Sequence, residues 1–374
     1  MKRLFAFALA ALLAVLAAPQ PARAAEDAPE TKAGGAALME AGSMRLLAGI
    51  NEHERLPMAS TTKVMTALLA IERCDLEGMV KIPDQAVGVE GSSMYLCKGE
   101  SLRMMDLLYG LMLTSGNDAA VAIAIEIAGT VEDFAALMNA RAAEIGCTDT
   151  NFVTPNGLHN AEHYTTAYDL CLIACEAMQS EVFRQIVSTD YYQTRSGDRT
   201  RTLKNKNRIL WQYDGGNGIK TGYTKAAGRC LVFSAERSGA QLVGVVLNCP
   251  DMWEEATALL DYGFENYRVS CLLEDNTRVG HVAVLGGEKN GLEVRAKEDI
   301  LYPLAIDGTD KLRWELDCVQ ELRAPVAEGT PLGELRLYCN EKQVLTTELL
   351  AAETIAAADY GFYLNEILSR FGAA

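Results

Sequence analysis

Histidine is scarce in this chain: His53, His159, His163 and His281 are the only four among 374 residues. So few, so scattered, give no basis for a His-rich metal site. They supply no evident Ser-His-Asp triad either, and no G-x-S-x-G elbow is present. Basic residues are in deficit, with 34 Lys+Arg against 50 Asp+Glu and a formal net charge of −16. A protein that coats nucleic acid needs the opposite balance. Ten Cys are present but no C-x-x-C pair; the nearest two, Cys171 and Cys175, lie four apart on an expected helix. A zinc ribbon or thioredoxin-like site is therefore unsupported. Beyond the first residues, no stretch reads as a transmembrane helix.

The length points to two domains. With 49% apolar and 22% charged residues, the composition is that of globular material. Lys2 and Arg3, the apolar run Leu4 to Ala18 and the small-residue site Ala22-Arg23-Ala24 read together as a secretory signal peptide over residues 1–24. The expected location is outside the cytoplasmic membrane. Removal of that segment leaves 31 basic against 50 acidic residues, a charge of −19. Export would favour disulfides. Yet several Cys sit in or beside apolar runs, as in Leu170-Cys171-Leu172 and Cys230-Leu231-Val232, where Cys acts as a small hydrophobe. An exported protein of an anaerobe, with free thiols, accommodates both facts.

Residues 25–40 are rich in Ala, Glu and Gly and read as a loose leader. Over 41–270 strand and helix patterns mix. Val64, Leu68 and Ile71 share one face of a helix over 61–72, and 101–113, 118–128, 131–145, 167–178 and 251–267 read as further helices. Residues 228–235 and 240–248 read as a hairpin across Arg237-Ser238-Gly239. Over 275–350, short strand-like runs (279–285, 291–296, 312–322, 333–339) between Gly, Asp and Pro turns indicate a small all-β domain. The fold class is α+β. In the tail, 351–374, Tyr360, Tyr363, Leu364, Ile367, Leu368 and Phe371 form an apolar helix face. That face either docks on the protein or contacts a membrane surface.

Without a histidine base, a nucleophilic serine needs another one. Ser60-Thr61-Thr62-Lys63 offers it, because positions three apart share a helix face. A lysine amine made neutral by burial or by a second cation can take the hydroxyl proton. A lone S-x-x-K is weak, since Ser is a common N-cap. Here it occurs once among thirteen Ser, and two further motifs accompany it: Ser115-Gly116-Asn117 is the only S-x-N and Lys220-Thr221-Gly222 the only K-T-G. This ordered triple is the type found in β-lactamases and penicillin-binding proteins.

With these residues the chain resembles the low-molecular-mass penicillin-binding proteins that are serine-type D-alanyl-D-alanine carboxypeptidases. The likeness includes Asp106 to Leu111 leading into Ser115 to Ala120, Pro155-Asn156-Gly157-Leu158 with His163 to Leu170, Ile219 to Thr224, and the stretch from Ala324 to Leu335. It implies a penicillin-binding/β-lactamase-like domain, an antiparallel sheet with a helical cluster, followed by the small β domain. It implies Ser60 as nucleophile and Lys63 as general base. Ser115, helped by Lys220, would relay a proton to the leaving D-Ala amine. Asn117 would bind a substrate backbone amide, and Lys220 and Thr221 the terminal carboxylate. Gly222 would let substrate lie beside the strand. The N–H groups of Ser60 and Tyr223 would form the oxyanion hole. No cofactor is implied. The partners implied are peptidoglycan stem pentapeptides and, as covalent inhibitors, β-lactams, with no nucleic acid. One departure stands out: the stretch Asn248 to Trp253 lacks the Arg with which some members bind the carboxylate. Arg208 and Arg229 are substitutes by type. A β-lactamase and a non-catalytic penicillin-sensing or wall-binding module are the alternatives. The β domain and the lack of an E-x-x-x-N segment after the second motif argue against the former, the three intact motifs against the latter.

Overall fold

The computed structural model describes residues 29–372. The expected signal peptide lies outside them. In chain order the first elements are β1 (Gly35–Glu40), β2 (Arg45–Ile50), a 3₁₀ turn (Ala59–Thr62), α1 (Lys63–Arg73), β3 (Met79–Lys81) and β4 (Ser101–Arg103). Next come α2 (Met104–Leu113), α3 (Asn117–Ala128), α4 (Val131–Ile145), α5 (Ala167–Gln179) and α6 (Glu181–Ser188). The hairpin β5 (Tyr191–Ser196) and β6 (Arg199–Lys204) precedes α7 (Ile209–Gln212), β7 (Gly216–Thr224), β8 (Gly228–Arg237), β9 (Ala240–Leu247) and α8 (Met252–Asn266).

The main sheet is antiparallel, in the order β2-β1-β9-β8-β7. Both of its faces are covered, so its central strands β8 and β9 carry long apolar stretches. Ala37, Met39, Val232, Val243 and Val245 face the helical block of α1, α2, α3 and α5. Ala36, Leu38, Leu231, Phe233 and Val246 face the other way, against Leu259 and Leu260 of α8. The alternation follows from the two-residue period of a strand. Residues 35–40 are therefore not a loose leader: β1 is wholly buried and paired on both edges. Its small side chains had suggested weak structure, but they let helices pack closely on both sides.

Two further boundaries differ from expectation. Residues 101–103 form a strand paired with β3 rather than the first turn of a helix, and Ser60 lies in the 3₁₀ turn, with α1 starting at Lys63. Other helix ends follow their local signals. Thr130 accepts a hydrogen bond from Asp133 N at the start of α4, and Gly146, with φ 99°, ends it.

The chain divides at Tyr267/Arg268. The second unit contains β10 (Tyr267–Leu273), β11 (Arg278–Leu285), β12 (Gly291–Ala296), β13 (Ile300–Ala305), β14 (Leu312–Cys318), β15 (Glu321–Arg323), β16 (Pro331–Cys339) and β17 (Lys342–Ala351). Six of these form a sheet ordered β14-β16-β17-β12-β11-β15 over its own core of Val282, Leu292, Leu337 and Leu349. The expected strand over 312–322 is two strands, β14 and β15, lying at opposite edges of that sheet. The last element, α9 (Tyr360–Gly372), leaves Tyr360, Tyr363, Leu364, Ile367 and Leu368 exposed. All ten Cys are free thiols.

Candidate active site

The turn that carries Ser60 is stapled from within. Ala59 has φ 49°, and its carbonyl accepts the Thr62 hydroxyl at 2.8 Å. Thr61 Oγ1 donates to Met58 O at 2.5 Å. Below it runs the 154–157 loop, tied to α1 by Thr66 Oγ1 donating to Pro155 O at 2.6 Å. Gly157 has φ 81°, and a Cβ there would fall 1.8 Å from Ala59 O. Only glycine permits that approach.

Lys63 is fully buried, and its Nζ has three partners: Asn156 O at 2.6 Å, Asn117 Oδ1 at 2.7 Å and Ser60 Oγ at 3.0 Å. The first two are carbonyl oxygens and can only accept. They consume two N–H bonds, so the remaining tetrahedral position of Nζ points at Ser60 Oγ. In the neutral amine that position is the lone pair. Burial, and next the charge of Lys220, hold the Lys63 pKa well below the ordinary lysine value; Asp118 opposes this and Lys206 adds to it. The neutral amine is thus favoured.

Ser115 is buried with φ 63°, in the turn between α2 and α3. Two residues on, Asn117 opens α3. Its Nδ2 donates to Glu90 O at 2.6 Å, and its backbone N–H to Ser92 O at 2.7 Å. The Asn117 side chain therefore first positions Lys63 and the 90–92 loop, with one N–H and one lone pair left for a substrate. Asp118 holds the same loop: it accepts from Ser93 Oγ (2.6 Å), Met94 N (3.0 Å) and Leu96 N (2.9 Å).

Lys220 is buried in the edge strand β7, its Nζ donating to Thr221 O at 2.8 Å. Burial, then Lys206, push its pKa down to about 7. Gly222 brings β7 against the Ser60 turn: a Cβ there would stand 3.1 Å from Met58 O, Ser60 N and Thr61 N. Tyr223 is exposed. Of the two arginines named above, Arg208 lies over the Trp253 ring and Arg229 donates to Pro250 O. The extra cation is instead Lys206, whose Nζ donates to Thr114 O at 3.0 Å, next to Ser115.

Three contributors escape motif reading. Asn156 acts through a backbone carbonyl, which carries no residue signature. Lys206 lies in no motif. His163 is buried, with Nδ1 accepting from Val153 N at 2.9 Å and Nε2 at 2.8 Å from Thr62 Oγ1. Because Thr62 Oγ1 gives its proton to Ala59 O, Nε2 must carry the ring proton and donate. Burial lowers the His163 pKa to about 4, so the ring stays neutral and braces the Ser60 turn. Among the described residues no group of three or more His, Cys, Asp or Glu could hold a metal.

The family profile described as D-alanyl-D-alanine carboxypeptidase matches residues 22–251, and that of the penicillin-binding protein 5 C-terminal domain matches 267–357. The chain is 32% identical to the D-alanyl-D-alanine carboxypeptidase DacF of Bacillus subtilis, over 98% of both chains. It is 30% identical to DacD of Escherichia coli, over 90% of this chain and 88% of that one. Among solved structures, penicillin binding protein 5 from Haemophilus influenzae superposes with a TM-score of 0.72 at 29% identity, over 88% of this chain and 98% of the other.

Proposed function

Because the chain belongs to the D-alanyl-D-alanine carboxypeptidase family of low-molecular-mass penicillin-binding proteins, we propose that Ser60 is its nucleophile and Lys63 its general base. The family's activity is hydrolytic removal of the terminal D-Ala of peptidoglycan peptides, which sets the β-lactamase alternative aside. The observation that carries the residue assignment is the three-partner geometry of Lys63, which leaves its free position aimed at Ser60.

Ser60 Oγ attacks the carbonyl of the penultimate D-Ala as its proton passes to Lys63 Nζ. The oxyanion forms beside the N–H groups of Ser60 and Tyr223. Ser115, helped by Lys220, passes a proton to the departing D-Ala nitrogen, and the C–N bond breaks. Water then cleaves the ester. Lys220 and Thr221 hold the terminal carboxylate, and the substrate adds along the free edge of β7, where Gly222 presents no side chain. Asn117 contributes its remaining N–H and lone pair to a substrate amide. β-Lactams, acylating the same serine, act as covalent inhibitors.

Release of D-Ala from a soluble pentapeptide tests this reading. The wild type should release it and take a stable fluorescent-penicillin label, and Ser60→Ala should lose both. Retained turnover in Ser60→Ala would refute the assignment. Residues 1–24 support export to the wall side of the membrane, and the uncovered apolar face of α9 supports peripheral membrane contact. Vesicle co-sedimentation, reduced by Ile367→Asp/Leu368→Asp, checks the second point; unchanged sedimentation removes it.

A further inference from the structure

Charge is unevenly spread in this acidic chain. Residues 190–208 hold six Arg or Lys (195, 199, 201, 204, 206, 208) and only two acids, Asp190 and Asp198. The strand register explains where these cations point. In the β5–β6 hairpin Tyr191 lies opposite Lys204, Gln193 opposite Thr202 and Arg195 opposite Thr200. Paired residues share a face, and all six are exposed or nearly so, whereas Thr194 and Leu203 on the other face are buried. The alternation continues past β6: Asn205, Asn207 and Ile209 are buried, and Lys206 and Arg208 exposed. Lys204, Lys206 and Arg208 thus follow one another along one side, roughly 7 Å apart for an extended chain.

Among the described residues, none of Arg195, Lys204, Lys206 and Arg208 forms an ion pair. Their contacts are to Gly197 O, the Tyr191 ring, Thr114 O and the Trp253 ring. Elsewhere in the same unit Arg55, Arg103, Arg141 and Arg201 all meet carboxylates. Arg201 anchors the hairpin from its inner face: it donates to Glu100 at 2.7 and 2.8 Å and to Met94 O and Tyr95 O at 2.8 Å. The cations are therefore mounted on a fixed support. Tyr191, overlain by Lys204, is 58% exposed, and Trp211, in the helix α7 that follows the segment, is 52% exposed.

We propose that this face is a docking track for the acidic peptidoglycan strand itself, distinct from the pocket that takes the peptide end. The proposal rests on the function assigned above. Unpaired cations beside flat aromatic rings suit a carboxylate-bearing glycan. The row also leads inward, because Lys206 contacts Thr114, the neighbour of Ser115. On an otherwise anionic body, this track would orient the polymer toward the site.

The test pairs the full-length wild type with Arg195→Glu/Lys204→Glu, residues outside the catalytic machinery, and with the milder Arg195→Gln/Lys204→Gln. Co-sedimentation uses peptidoglycan stripped of attached phosphate polymers, with a phosphate polymer and anionic vesicles as separate arms. The Glu variant should bind stripped peptidoglycan about tenfold more weakly or worse at low salt, a gap that salt should close. The Gln variant should fall between. Thermal stability and cleavage of soluble pentapeptide should stay unchanged. Equal binding by all three proteins, or a loss confined to the phosphate polymer or the vesicles, would overturn the track. Failure of the wild type to cleave soluble pentapeptide would instead strike the assigned function, while the sedimentation arm would still decide the track.

Discussion

Lys220→Met should abolish turnover yet make the protein more stable. Burial holds the Lys220 amine at about 7, from an ordinary 10.5. A shift of that size corresponds to roughly 4–5 kcal/mol of destabilisation at pH 7 and below. Methionine fills similar space without a charge. It cannot donate to Thr221 O, now met at 2.8 Å, a loss of about 1–2 kcal/mol. The net gain is then about 2–4 kcal/mol, or roughly 4–16 °C in Tm for a unit of this size. The sign carries a pH signature. Because the folded-state pKa is depressed, the unfolded chain holds the proton up to pH 10.5 while the native state releases it near 7. Wild-type stability should therefore rise more steeply between pH 7 and 10.5 than that of Lys220→Met, which keeps only the rise due to Lys63. Thermal unfolding followed by tryptophan fluorescence from pH 6 to 10 should show the variant ahead at low pH and the gap closing at high pH. Parallel curves would refute the buried-charge account.

Lys63→Ala should still bind penicillin but acylate roughly 10³-fold more slowly, read by stopped-flow labelling; near-normal acylation would remove it as base. Gly157→Ala places a methyl against Ala59 O at positive φ, and should cost more than about 3 kcal/mol in denaturant unfolding as well as much of the labelling. His163→Phe removes the acceptor for Val153 N and the donor to Thr62, and should cost about 1–3 kcal/mol. With its pKa at about 4, His163 should contribute no limb to the acylation pH profile between 5 and 8, so the variant's profile should keep its shape.

The candidate site was legible because its proposed chemistry resides in side chains at short spacings. Ser60 and Lys63 are three residues apart, and the Gly-marked turn before Asn117 sits where its pattern placed it, whereas Lys220-Thr221-Gly222, read as lying just ahead of the hairpin strand, belongs to a strand of its own, β7. Helices α3 and α4 were legible because Gly129 and Gly146 are strong end signals. What stayed hidden depends on contacts between distant residues. The role of Asn156 is that of a peptide carbonyl, and the role of His163 depends on Thr62, 101 positions away. Strand β1 was missed because Ala and Gly carry little strand propensity of their own; its burial comes from neighbours on both sides. Lys206 shows itself only once folding brings its amine to Thr114 O and its charge beside Lys220 and Lys63.

The placement of β1 between β2 and β9 also bears on how the enzyme comes into being. Gly35 pairs with Leu247, so the central sheet closes only when nearly the whole catalytic unit is present. Such long-range pairing makes folding slow relative to helical proteins of the same size. The strand that carries Lys220 hangs on β8, and β8 on β9. A partly emerged chain would hold Ser60 and Lys63 with no partner strand beside them. Acylating activity should therefore appear late and all at once, after β9 has joined the sheet, which would keep an incomplete enzyme from reacting.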